Sequence, residues 1–176
     1  MLRESDWFAG YPEPKEPRIV SPTQRTILNR IAASYRDHEV YDAARVNGYG
    51  GLVDDGRWGP IAKNIASVCG DYRRVLQIGA HKGFLLYELL KCGMRVHGAE
   101  TSQYAVDNSV VRLDHVRSWT ELPYESGSFD IVIATSVVYT LNLRDAIKCL
   151  KEIERVKAPE GRSFITLAAY EDEDDI

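Results

Sequence analysis

From residue 73 the sequence alternates short apolar runs with longer amphipathic ones, and this alternation constrains the fold more than any other feature. Strand patterns are read at 73–78 (RRVLQI), 95–99 (RVHGA), 129–135 (FDIVIAT) and 162–169 (RSFITLAA), with a weaker one near 112–117. Helical patterns lie between them, at 83–92, 102–109 and 144–156. Short strands alternating with helices of roughly ten residues predict an α/β fold, a parallel sheet with helices on both faces. No internal repeat interrupts the pattern.

Three further segments complete the organisation around a core spanning 71–170. Residues 1–20 carry Pro12, Pro14 and Pro17 among charges and read as an irregular arm with no core pattern. Residues 21–70 read as a helical cap. It opens with Ser21 as N-cap, Pro22 at the first helical position and Gln24 three residues after the cap, followed by Ile27, Leu28, Ile31 and Tyr35 at helical spacing. Inside the cap, residues 47–59 (NGYGGLVDDGRWG) form a glycine-rich loop with Tyr49, Arg57 and Trp58. This loop is either a surface turn with a buried tryptophan or a pocket wall. A helix then runs from about Pro60 to Cys69, with Ile61, Ile65, Ala66 and Val68 inward and Gly70 as its stop. Residues 171–176 are an acidic tail, read as a solvated terminus.

With 176 residues, 44% of them hydrophobic and 27% charged, the chain has the size and balance of one soluble domain. A net charge of −4 gives no reason to expect nucleic acid or an anionic membrane as partner. No apolar run approaches the roughly 18–20 residues of a membrane span, and the N-terminus lacks the apolar segment of a secretory signal. Cys69, Cys92 and Cys149 are odd in number and contain no CxxC pair. They read as reduced thiols of a cytoplasmic protein, without a disulfide framework or metal site.

Chemistry concentrates in residues 75–100. The strand Val75-Leu76-Gln77-Ile78 runs into Gly79-Ala80-His81-Lys82-Gly83 and then into the helix that Phe84 begins. Glycines at such a turn admit positive φ and let a ligand lie against bare backbone, while the helix start adds free amide donors. The next strand ends at Ala99-Glu100, where a carboxylate is placed to accept hydrogen bonds from the ribose hydroxyls of an adenosine moiety. Ligands of open parallel sheets bind at these strand ends.

Val75 to Gly83 resembles the first motif of the class I S-adenosylmethionine (SAM) methyltransferases. Thr120-Glu121-Leu122-Pro123-Tyr124 with Ser128-Phe129-Asp130-Ile131-Val132 resembles that family's segment at the fourth strand. Ser136-Val137-Val138-Tyr139-Thr140-Leu141 with the stretch from Ala146 to Val156 resembles the part that follows. Upstream, Gly48-Tyr49-Gly50-Gly51 and Asp55-Gly56-Arg57-Trp58 resemble a GYGGY-YDGRW signature of a branch associated with bacterial sugar and surface-polysaccharide pathways. The resemblance covers about residues 35–170. It implies a Rossmann-like three-layer sandwich, SAM as cofactor and a small-molecule acceptor such as a sugar or nucleotide sugar. By position, Gln77, Gly79, Ala80, His81 and Gly83 would face the methionine and ribose. Glu100 would bind the ribose hydroxyls, Thr101 and Ser102 would line the adenosine pocket, and Ser118 and Trp119 would meet adenine. Thr135 and Ser136 would face the methyl group and its acceptor.

Three places depart from the family pattern: Gln77 stands for its acid, His81 for the middle glycine of its loop, and Ser118-Trp119 where a polar and a small residue are usual. Trp119 would either stack on adenine or fill the pocket. The family's sheet order is 3-2-1-4-5-7-6, and the residues after Tyr170 are too few for the hairpin of strands six and seven. The fifth strand is therefore expected to be an exposed edge that pairs with a partner chain or a second copy, as in a homodimer. His115, Tyr139 and Tyr49 are the candidate bases, although His115 and Tyr139 also read as structural. His97 reads as a core residue of a buried strand and His38 as a surface residue. Two functional readings stay open: a SAM-dependent methyltransferase, and a degenerate methyltransferase-like domain acting as a binding or assembly module.

Overall fold

A computed structural model describes residues 6–9, 11–12 and 24–167. The Ser21-Pro22 helix start and the acidic tail lie outside the described residues. The helices before the sheet are α1 (Ile27–Ser34), α2 (His38–Tyr41) and α3 (Trp58–Cys69). There follow β1 (Arg74–Ile78), α4 (Phe84–Lys91), β2 (Arg95–Glu100), α5 (Gln103–Asp107), β3 (Asp114–His115) and β4 (Phe129–Ala134). A 3-10 turn (Val138–Thr140), α6 (Leu143–Val156) and β5 (Lys157–Ile165) complete the described residues.

The five strands form one parallel sheet in the order β3-β2-β1-β4-β5. This is the expected order for the strands present, and it places β1 and β4 at the centre. Central parallel strands are covered on both faces, which is why Val75-Leu76 and Ile131-Val132-Ile133 are unbroken apolar runs. Two apolar layers flank the sheet. One joins Ile61, Ile65 and Cys69 of α3 to Leu85, Leu86 and Leu89 of α4. The other sets Cys149, Ile153 and Val156 of α6 against Leu76, Ile78 and Val132. Cys69, Cys92 and Cys149 are free thiols.

The glycines at the end of β1 answer first to packing. At Gly79, φ is 72°, and an added Cβ would stand 2.5 Å from the Val137 side chain. At Gly83, φ is 78° and the distance to the Val111 side chain would be 2.6 Å. Each position excludes a side chain whether or not a ligand is present.

Several expectations are corrected. The helix read from Ser21 begins at Ile27, where Thr26 and Asn29 form a reciprocal capping box. Its Ile27, Leu28, Ile31 and Tyr35, read at helical spacing, are exposed. Residues 6–9, part of the arm read as having no core pattern, dock Trp7 into the α3–α4 layer, with its ring stacked 5.2 Å from Phe164. His97 is exposed on β2 and meets Tyr124 and Phe129 edge-on. β5 starts directly after α6, yet its continuous register with β4 begins at Arg162, where the sequence places the strand. No helix among the described residues is long and apolar enough to cross a membrane.

Candidate functional site

A cleft of about 640 Å³ opens at the carboxyl ends of β1 and β4. Gln77, Ala80 and His81 form one part of its floor, and Thr135 and Ser136 another. The opposite wall is the loop from Tyr49 to Trp58, so this loop is a pocket wall. Phe8 and Tyr11 close the mouth, with Tyr11 5.5 Å from the Trp58 ring. The sequence reading missed these two residues, because aromatics in a proline-rich segment follow no period. It also missed Arg45, whose guanidinium reaches the cleft and donates to the carbonyls of Gly48 and Tyr49 at 3.1 and 3.2 Å.

Gln77 is buried at the cleft floor, and its Oε1 has no hydrogen-bond partner among the described residues. His81 has φ 52°. Its Nδ1 lies 3.5 Å from the Tyr41 hydroxyl and its Nε2 3.4 Å from that of Tyr49. Burial holds the imidazole below its usual pKa, the Glu100 charge opposes that shift, and Arg36 adds to it. Desolvation against the cap also pushes the Tyr49 phenol up to about 12, with Tyr41 and Glu100 adding to the shift and Arg36 opposing it. Tyr139 is exposed on the 3-10 turn. His115 is exposed on β3 with Nε2 3.1 Å from the Thr101 carbonyl, beside a smaller hollow outside the main cleft.

The residues read for the nucleoside end are arranged differently. Glu100 is fully enclosed. Its carboxylate accepts from the amides of His81 at 2.8 Å, Thr101 at 2.8 Å and Ser102 at 3.0 Å. It also accepts from the Arg36 guanidinium at 3.3 Å. Ser118 is engaged with Thr120 through its hydroxyl, at 2.8 Å. Trp119 is buried in the layer between α6 and the sheet, so it fills that space with protein. Thus Gln77, Ala80, His81 and Thr135 share the cleft, while Glu100, Thr101, Ser118 and Trp119 do not line it. Gly79 and Gly83 are buried in the loop beneath.

The cap segment over Glu100 is bolted to the glycine loop. Lys82 Nζ, nearly buried, donates to the two Asp42 oxygens at 2.6 and 2.7 Å and to the Leu52 carbonyl at 3.1 Å. Tyr104 adds a hydroxyl donor to Asp42 at 2.7 Å. Partial burial pushes the Asp42 carboxyl up, but these donors outweigh it and hold the group below its usual pKa.

The parallel sheet, its strand order and a cleft at the carboxyl ends of its central strands define the Rossmann-like class I methyltransferase fold. The sequence profile of the family described as "Methyltransferase domain" matches residues 76–165, and the chain belongs to that family. Solved structures share the fold. One, from Methanococcus maripaludis, is titled as a proposed SAM-dependent methyltransferase; it is 16% identical, with 89% of this chain and 67% of that one covered, at a TM-score of 0.57. SAM-bound CalS10, an amino pentose methyltransferase of Micromonospora echinaspora involved in calicheamicin biosynthesis, is 20% identical over 65% of this chain and 52% of its own, at 0.56. The [4+2]-cyclase SpnF is 20% identical over 57% of this chain and 42% of its own, at 0.50. This chain therefore spans between 42% and 67% of the length of these proteins. Among curated proteins no sequence matches it. A methyltransferase and a cyclase on one fold show that the reaction must be argued from the site.

Proposed function

We propose that the protein transfers a methyl group from SAM to a small molecule, with a sugar or nucleotide sugar as the acceptor class. The observation that carries this reading is Gln77. A buried acceptor without a partner costs about 1–3 kcal/mol, so the Oε1 at the cleft floor suits a donor brought by a ligand, and the ammonium of SAM is such a donor. SAM supplies a methyl group already activated on a sulfonium. The chain's own work is then alignment and exclusion of water. Thr135 and Ser136, at the end of β4, offer hydroxyls to an acceptor, and Phe8, Tyr11, Tyr49 and Trp58 shield the cleft. Arg45 has no carboxylate partner among the described residues, which suits an acceptor carrying phosphate or carboxylate. The glycine-aromatic signature at 48–58 and the sugar-modifying activity of CalS10 support a carbohydrate acceptor.

A second reading, a binding or assembly module without methyl transfer, is favoured by one observation: Glu100 is enclosed by its own chain. Isothermal calorimetry with SAM and S-adenosylhomocysteine separates the two. Micromolar binding is expected, weakened about tenfold by Gln77→Leu, the equivalent of one lost hydrogen bond. Absence of heat at millimolar ligand would overturn the methyltransferase reading.

A further inference from the structure

The groups that surround Glu100 are not equivalent. The amides of Thr101 and Ser102 belong to the turn that ends β2, and the amide of His81 belongs to the adjoining glycine loop. These donors are fixed by the backbone. Two side-chain donors remain: the Thr101 hydroxyl at 3.4 Å, on the same turn, and the Arg36 guanidinium at 3.3 Å, which comes from 64 residues away. The Arg36 side chain is 41% exposed, against 0% for Glu100. Arg36 therefore covers the carboxylate from the solvent side and can leave toward water without repacking the core.

The backbone beneath Arg36 is held in place. Its φ of 53° lies in the left-handed region, which a non-glycine residue adopts only where its surroundings hold it. The carbonyl of Arg36 accepts from the Ser102 hydroxyl, so the strained turn is tied to the strand end it covers. Tyr41, 1% exposed at the other end of α2, lies against the same group. The guanidinium, shared between Glu100 and the Tyr41 hydroxyl, is the part of Arg36 that can swing.

We propose that Arg36 is an internal occupant of the ribose position: it donates to Glu100 where the hydroxyls of a nucleoside would donate, and a nucleoside cofactor binds only after displacing it. This inference rests on the SAM reading. It adds that the nucleoside end of the site is closed at rest while the Gln77 end stands open. The apparent affinity is then reduced by the fraction of molecules in which Arg36 has swung out.

Adenosine is the discriminating probe, because it carries the ribose diol and no charge. Arg36→Ala is expected to bind adenosine and S-adenosylhomocysteine about tenfold more tightly than the parent, as for a competent state populated about one part in ten. Added salt screens the solvent-facing Arg36 guanidinium and so weakens its hold on Glu100. Adenosine affinity of the parent should therefore rise with ionic strength, and that of Arg36→Ala should stay flat. The salt series on the parent needs no variant, so the proposal stays testable if Arg36→Ala fails to fold. Equal or weaker binding by Arg36→Ala, or a flat salt series for the parent, overturns the occupant role and leaves the cofactor reading intact. No binding of either ligand by either protein overturns both.

Discussion

The imidazole of His81 lies between two tyrosine hydroxyls, and a neutral ring carries a single N–H. One tyrosine therefore accepts from the ring while the other donates to it. Burial keeps the ring's folded-state pKa below the ordinary 6.5. A base with a depressed folded value contributes stability that is complete above pH 6.5 and is lost as the pH falls below it. Chemical denaturation should show stability declining as the pH falls below 6.5. His81→Asn, which tolerates left-handed backbone, should flatten that limb. An unchanged limb would assign it to another group. The departure from glycine at His81 is legible in the sequence, as is that at Gln77. What the imidazole meets is not, because Tyr41 and Tyr49 lie 40 and 32 residues upstream. The enclosure of Glu100 escapes sequence reading for the same reason: the position of Arg36 depends on how the cap docks.

At the scale of elements, the turn from β1 into α4 depends on Gly79. Gly79→Ala would add a Cβ 2.5 Å from the Val137 side chain at a φ of 72°. Strain and overpacking together are expected to cost about 2 kcal/mol or more, read as a lower denaturant midpoint. Adding Val137→Ala should restore part of the loss, since it relieves the clash and leaves the φ; restoration of none would mean that backbone strain alone is responsible. Periodic elements were legible: β1, α4, β2, β4 and α6 fall within a residue or two of their apolar patterns. The four-residue α2 and the three-residue 3-10 turn were not, because neither completes a repeat. The stripe on α1 shows that helical spacing identifies a helix without saying what covers its apolar face. Among the described residues β5 is an edge strand, and Arg162 and Ser163 are exposed on it. We propose that this edge takes a strand from a second chain. Sedimentation equilibrium should then find a dimer, and a monomer at every accessible concentration refutes the pairing.

At the scale of the molecule, Asp130 joins two strands that are far apart in sequence. Its carboxylate accepts from the backbone amides of Arg73 and Arg74, at 3.1 and 2.9 Å, and from the Arg74 guanidinium at 2.6 Å. The Arg74 side chain, with those amides, outweighs partial burial and holds the Asp130 carboxyl at about 2. Its contribution to stability is complete above the ordinary value of 3.8 and is lost as the pH falls toward 2. Asp130→Asn should be less stable than the parent at neutral pH, with the difference shrinking across that acid window. A constant difference would place the effect outside the carboxylate. The sheet that this contact joins was legible as a whole, since alternation and strand order follow from pattern and connection rules.

The tilted contact of Phe8 with Phe164, at 5.1 Å, sets an order of events during synthesis. Phe8 lines the cleft, and its ring meets Tyr11 and Trp58 as well as Phe164. Phe164 is made on β5, after every lining residue of the cleft but Thr166 has been translated. A ligand that needs this mouth closed can be held only once β5 has left the ribosome. The nascent chain thus carries this side of the cleft uncovered until β5 has been made.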